Sequence, residues 1–229
     1  MGEDLLKQLN FVKEKIGNTA NESKREKNEV KLLPVSKNHS VDKINFFKSL
    51  GFNEFAESRV QELLKKNELI PDVHWHFIGH LQRNKVKYLM RLQNLKLIHS
   101  LDSWRLAKEI NKRAAKNDRI IDVLLQVNVA DESSKYGIDI KEVYDFLSDS
   151  RNLSNMRIVG MMTIAPYDID SNELRSIFRR LYDKRSKMIA KGFDLKELSM
   201  GMSNDYQIAI EEGSTIVRIG SALFGKRGG

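Results

Sequence analysis

The stretch KLLPVSKNHSVDKINFFKSLGFNEFAE, residues 31–57, contains one complete strand–helix–strand unit. Its first run ends in Leu32-Leu-Pro-Val-Ser-Lys37, short, mostly apolar and closed by a lysine. A helical pattern follows at 42–50, and a second strand-like run lies at 52–57. A helix between two strands implies that the strands are parallel. Outward from this unit, apolar or β-branched runs recur near 73–78, 96–101, 121–129, 157–164, 197–202 and 215–220, which makes eight candidate strands. Helical patterns occupy 60–69, 81–92, 103–116 and 140–150, followed by a long basic helix and a short segment at 205–212. Eight such units predict an α/β fold, a single (β/α)8 TIM barrel. An open doubly wound sheet is the structural alternative. The missing Gly-x-Gly-x-x-Gly after the first strand argues against its dinucleotide-binding form. Residues 3–28 read as an extra N-terminal helix with Leu5, Leu9, Val12 and Ile16 on one face. The last barrel helix is short or absent, so the leading helix is expected to cover that side.

The rest of the composition narrows the class. A chain of 229 residues is near the usual size of such a barrel, about 250 residues. It shows no low-complexity linker and only three prolines, so it reads as one domain over 1–229, led by the helix at 1–28. With 41% hydrophobic and 31% charged residues it has a globular composition. There is no cysteine, which excludes disulfides and thiolate metal sites. Glu3 and Asp4 and the lack of a long apolar run argue against a secretory signal, and nothing approaches a membrane span. A cytoplasmic protein is expected. The net charge of +8 is concentrated on one helix, at Arg175, Arg179, Arg180, Lys184, Arg185, Lys187 and Lys191. Its apolar partners Leu174, Ile177, Phe178, Leu181 and Met188 follow helical spacing, so the charges read as a solvated outer face. No helix-turn-helix or aromatic platform accompanies them, and no specific nucleic acid is expected.

In a parallel barrel, functional groups sit where strands end and loops begin. Lys37 ends the first strand there. A lysine at such a position must lose solvent or find a partner, and loss of solvent can favour the neutral amine that imine chemistry needs. Ser199-Met-Gly-Met-Ser203 ends the seventh strand, and Asn204-Asp205 opens a helix. Arg218-Ile-Gly-Ser221 ends the eighth. Barrels bind phosphate between these two loops, through backbone N–H groups and a helix start. Gly220 permits close backbone approach, Ser203 and Ser221 offer hydroxyls, and Asp205 is either part of the cradle or an ordinary cap. Closure of the barrel would set this cradle beside Lys37. His74-Trp-His76, with His80 and His99, raises a zinc hydrolase as a rival. No histidine follows His99 and strand eight ends in arginine, so a packing or hydrogen-bonding role is expected and no metal.

These residues resemble the pyridoxal phosphate (PLP) homeostasis family, PLP-binding proteins related to the alanine racemase N-terminal barrel. The matching stretches are Val35-Ser-Lys37, Phe55-Ala-Glu-Ser-Arg-Val-Gln-Glu62 and Trp75-His-Phe-Ile-Gly-His-Leu-Gln-Arg-Asn-Lys85. Further along come Lys135 with Gly137, Gly160-Met-Met-Thr163, Leu198-Ser-Met-Gly-Met-Ser203 and Val217-Arg-Ile-Gly-Ser-Ala-Leu-Phe-Gly225. The resemblance implies that Lys37 is the Schiff-base lysine and that Ser203, Gly220 and Ser221 hold the phosphate. Arg218 would be the partner of the pyridine nitrogen, and Lys135 matches a lysine near the cofactor. The second motif departs from the family's Phe-Gly-Glu-Asn: Ala56 replaces glycine and Ser58 replaces asparagine, which shortens the reach of Ser58 towards the cofactor ring.

The implied function is to hold pyridoxal 5'-phosphate as a lysine imine, in vitamin B6 homeostasis and delivery to apo-forms of PLP-dependent enzymes. A monomer without robust catalytic activity is expected. Arginine only donates hydrogen bonds, so a ring nitrogen facing Arg218 stays unprotonated and PLP is a weaker electron sink. The sequence ends at Gly229, eleven residues past Arg218, so the second domain from which related racemases take a proton donor is not expected. The alternative is a small PLP-dependent amino-acid racemase or lyase with Lys37 as its only base.

Overall fold

The computed structural model describes residues 2–130 and 136–225. Helix α1 (Gly2–Glu22) leads into one 3-10 turn (Lys27–Glu29) and strand β1 (Lys31–Pro34). Next come α2 (Val41–Ser49), β2 (Glu54–Glu57), α3 (Val60–Leu69), β3 (His74–Phe77), α4 (Arg83–Leu89), β4 (Leu95–Leu101) and α5 (Trp104–Ala115). The second half holds β5 (Ile121–Asn128), β6 (Ile138–Asp139), α6 (Val143–Ser150), β7 (Met156–Met162) and α7 (Ser171–Ala190). It ends with β8 (Glu197–Ser199), α8 (Tyr206–Glu211), β9 (Ile216–Ile219) and α9 (Ser221–Phe224).

Eight of the strands pair in parallel in the order β1-β9-β8-β7-β5-β4-β3-β2, and a parallel bridge between Val35 and Ala56 joins the two ends. This is a (β/α)8 TIM barrel, as the alternation of patterns predicts. Alternate residues of each strand point inward, and Leu33, Val35, Ala56, Leu97, Leu124, Met162 and Ile216 pack as the apolar centre of the barrel. A larger cluster fills the layer between strands and helices. The predicted face of α1 is buried at Leu5, Leu9, Val12 and Ile16. It packs on α8 and on the four-residue α9, so the leading helix does cover the side where the last barrel helix is short.

Boundaries differ where backbone geometry intervenes. The leading helix stops at Glu22, short of residue 28, because Lys24 turns left-handed (φ 57°) and Arg25 N–H closes on Ala20 O. The eighth-strand partner β8 stops at Ser199 because Gly201 adopts φ 92°, and a Cβ there would lie 2.6 Å from Ala209 Cβ. The helix expected from residue 140 starts at Val143, because residues 138–139 are drawn into the short strand β6 beside β5. Gly137 makes that approach possible: at φ 133°, a Cβ would stand 2.7 Å from Asn128 N. Among the described residues, no helix is long and apolar enough to cross a membrane.

Candidate functional site

A cavity of about 480 Å³ opens at the C-terminal ends of the strands, within the range for small-molecule sites, about 300–1,000 Å³. Lys37, Ser203, Arg218, Gly220 and Ser221 all line it. The register explains their meeting: β1 pairs with β9, Pro34 lies opposite Ile219, and Val35 N–H donates to Ile219 O at 2.8 Å. Residues 35 and 37 continue the inward parity of Leu33 just past the ladder, as Gly220 continues that of Arg218.

The loop that carries Lys37 is held by a buried ionic cluster on its outer side. Ser36 Oγ donates to Glu57 Oε1 (2.6 Å), and Asn38 N–H donates to Glu62 Oε1 (2.6 Å), with Asn38 itself left-handed at φ 62°. Lys66 Nζ joins the pieces, 2.7 Å from Glu57 Oε1, 2.8 Å from Glu62 Oε1 and 2.7 Å from Ser36 O. Glu57 is fully buried, and burial pushes its carboxyl up against the opposing pull of Lys66.

Arg218 is 3% exposed. Its η nitrogens donate to Ser199 O (2.9 Å), Ser199 Oγ (2.7 Å) and Thr163 O (3.0 Å). Burial pulls its pKa down to about 10, partly offset by the Asp205 carboxylate. It stays a cation at neutral pH and a donor only. Among the described residues its three bonds use three of five guanidinium N–H groups, which leaves Nε–H and one Nη2–H on a residue that lines the cavity. Asp205 accepts from Met202 N–H, three residues back in the loop, and makes no side-chain bond to the first turn of α8, so it is not the ordinary helix cap of the alternative reading; burial raises its carboxyl. Ser203 Oγ accepts from Ala222 N–H at 3.2 Å, which ties the two loops of the cradle together and leaves the hydroxyl proton to donate.

Ser58 does not line this cavity. It lies just past β2 with Gly79 packed on its carbonyl, where a Cβ on Gly79 would come within 2.0 Å of Ser58 O. Lys135 lies outside the described residues. The cavity also draws on His39, whose ring stacks on Phe224 at 4.9 Å, and on Tyr167 and Asp168 of the loop after β7, none of which sequence reasoning selected. Asp168, at φ 65°, offered no signal beyond lying after a strand.

The histidines are divided among other duties. His74 is exposed, His80 pairs with Asp102 (3.0 Å) and stacks on Tyr136, and His76 and His99 are buried and bonded to each other. Among the described residues, no group of three or more potential ligands is placed to hold a metal. Much of the charge on α7 is used internally. Arg175 pairs with Glu211 and Glu212, Arg179 pairs with Glu212, and Arg185 donates to Leu195 O and Lys196 O.

A barrel with a lysine after its first strand and a donor-lined cradle after its last two is an alanine racemase-type barrel. Residues 14–228 match the family described as Alanine racemase, N-terminal domain. An alanine racemase of Clostridium difficile shares that fold, with a TM-score of 0.76 at 18% identity over 98% of this chain and 57% of that one. Nearer relatives narrow the class. The curated pyridoxal phosphate homeostasis protein of Aquifex aeolicus is 44% identical over 222 residues, 96% of each chain. PipY of Synechococcus elongatus, solved with PLP bound, has a TM-score of 0.79 and 33% identity over 86% of this chain and 93% of its own. The chain belongs to the pyridoxal phosphate homeostasis protein family.

Proposed function

We propose that this chain is a one-domain PLP-binding barrel of the cytoplasm that acts as a monomer in PLP homeostasis and delivers the cofactor to apo-forms of PLP-dependent enzymes. The observation that carries this reading is the convergence of Lys37, Arg218, Ser203, Gly220 and Ser221 on one cavity. The donor set fits PLP group by group. The Lys37 amine suits an aldehyde, a remaining Arg218 N–H suits an unprotonated ring nitrogen, and two hydroxyls with the backbone at 220–221 suit a phosphate. The PLP bound to PipY supports the same ligand. When bound, PLP supplies an aldehyde that condenses reversibly with amines and a ring that can draw electrons from the adduct.

The residues of the chain then act as follows. Lys37 anchors the aldehyde end, and the cluster of Glu57, Glu62 and Lys66 fixes the backbone on both sides of it. Ser203 and Ser221 orient the phosphate. Arg218, donating only, keeps the ring nitrogen unprotonated and so weakens the electron sink that amino-acid chemistry needs. The names of the relatives, homeostasis proteins, support a binding role without robust turnover. The test is titration of the purified chain with PLP, followed by visible absorption, then mixing with an apo-enzyme. Saturable binding and restored partner activity are expected. No saturable spectral change would refute the proposal, and steady turnover of an amino acid by the loaded chain would mark it as a small racemase or lyase.

A further inference from the structure

A line of buried polar side chains runs through the barrel from Arg218 to the opposite mouth, and PLP binding as described makes no use of it. Arg218 Nη1 lies 2.7 Å from Ser199 Oγ, and Ser199 Oγ lies 3.0 Å from His99 Nδ1. His99 Nε2 lies 2.9 Å from His76 Nδ1, and His76 Nε2 lies 3.0 Å from Glu54 Oε2, which also accepts from Lys31 at 2.9 Å. Ser199 and His99 are fully buried and His76 nearly so. One residue comes from each of β9, β8, β4, β3 and β2, so the line crosses the barrel interior.

The two ends dictate its direction. A guanidinium can only donate, and a carboxylate can only accept. Ser199 Oγ receives the Arg218 proton, so its own proton goes to His99 Nδ1, its other polar neighbour. That places the His99 proton on Nε2, aimed at His76 Nδ1, and the His76 proton on Nε2, aimed at Glu54. Each short contact then holds one proton. In the reverse order, His99 Nδ1–H would donate to an oxygen already receiving from Arg218, and the buried hydroxyl proton would have no acceptor.

We propose that Glu54, His76, His99 and Ser199 form a one-directional hydrogen-bond relay of two neutral Nε2–H imidazoles that holds the Arg218 guanidinium in place. They are positioning residues. With its proton committed to His99, Ser199 must present a lone pair to Arg218; His76 fixes the tautomer of His99, and Glu54 fixes that of His76. The surroundings agree. Burial lowers both imidazoles, and for His99 the neighbouring His76 and Arg218 add to it. Glu54 opposes the shift at His76 while Lys31 and Lys96 reinforce it, and Lys31 also faces His99. Glu54 itself is held down to about 2, first by its bond from His76, as befits the terminal acceptor. The effect of the relay on PLP rests on the reading of Arg218 as the ring-nitrogen partner; its direction does not.

The test uses the full chain. Imidazole 15N NMR of the wild type should show His76 and His99 neutral and protonated at Nε2 from about pH 5.5 to 8.5, where a free histidine changes charge. An imidazolium or an Nδ1–H tautomer at either residue in that range would overturn the relay, whether or not PLP is present. For the coupling, His99→Phe should shift the visible spectrum of the PLP-loaded chain and raise its Kd for PLP about tenfold. His99→Asn, which keeps an acceptor near the Nδ1 position, should restore most of both. An unchanged spectrum and Kd in a folded His99→Phe chain would overturn the positioning role. Should the wild type bind no PLP, the functional reading fails, and the tautomers still decide the relay.

Discussion

Lys66→Met isolates the cluster behind the proposed anchoring lysine. Methionine keeps the length and volume of the side chain, so the change removes charge and donors and leaves little cavity. Lys66 is 6% exposed and serves Glu57, Glu62 and Ser36 O, while Glu57 is fully buried and its Oε2 has no hydrogen-bond partner. Removing one member of a buried ion pair costs about 3–5 kcal/mol, because the remaining charge is left uncompensated. For a chain of this size that lowers Tm by roughly 6–20 °C. The loss depends on pH. Burial already raises the Glu57 pKa, and loss of Lys66 removes the main opposing influence. A carboxyl with a raised folded-state pKa binds more protons folded than unfolded, so it stabilises below the unfolded value, about 4.3, and that benefit fades as pH rises through the folded value. The destabilisation should therefore be largest where Glu57 is ionised and shrink as falling pH lets it take up a proton. Urea denaturation of both chains across pH measures it. A loss under about 1 kcal/mol at pH 7, or one independent of pH, would refute a buried charged cluster.

Other perturbations probe the fold, the cradle and the activity. Gly160 lies opposite Glu197 in the β7–β8 ladder, where a Cβ would come 2.0 Å from Glu197 O. Gly160→Ala should therefore fall at the upper end of the overpacking range, about 1–3 kcal/mol, in urea unfolding; an unchanged midpoint would contradict the register. Ser203→Ala removes one charge-assisted bond to phosphate and should weaken PLP binding by about 1.5–3 kcal/mol. Arg218→Ala should instead alter the visible spectrum, since Arg218 acts on the ring, and identical unchanged spectra and affinities in both would remove these residues from the site. The PLP-loaded chain should show negligible racemase, transaminase or decarboxylase turnover, and rates of about 1–10³ per second, lost in Lys37→Ala, would favour the enzyme reading.

The barrel was legible because its strands are apolar runs of ordinary length and its helices keep a helical period. The candidate site was legible in part because short motifs fall at the ends of strands one, seven and eight, which closure brings together; Ser58, just past the second strand, does not line the cavity. Strand β6 was not, since two residues carry no period and their pairing depends on Gly137 at φ 133°. Nor was the anchoring cluster: Lys66 looks like an ordinary surface lysine in a helical pattern, and only the packing of α3 on β2 makes it buried. The histidines show both limits. Parity placed His74 and His76 on one side of β3, but His74 starts the strand and stays exposed, while His76 reaches His99 on the neighbouring strand. Ser199 gave no signal by itself, because its role depends on what β4 and β9 present to it.

The most direct measurement of the central claim is where PLP becomes fixed. The PLP-loaded wild type and Lys37→Ala chains are reduced with borohydride, digested and mapped by mass spectrometry, with circular dichroism confirming that both are folded. The predicted result is a pyridoxyl adduct on Lys37 in the wild type and none at comparable level in Lys37→Ala. An adduct found mainly on another lysine, Lys135 included, or one undiminished in Lys37→Ala, would contradict the account.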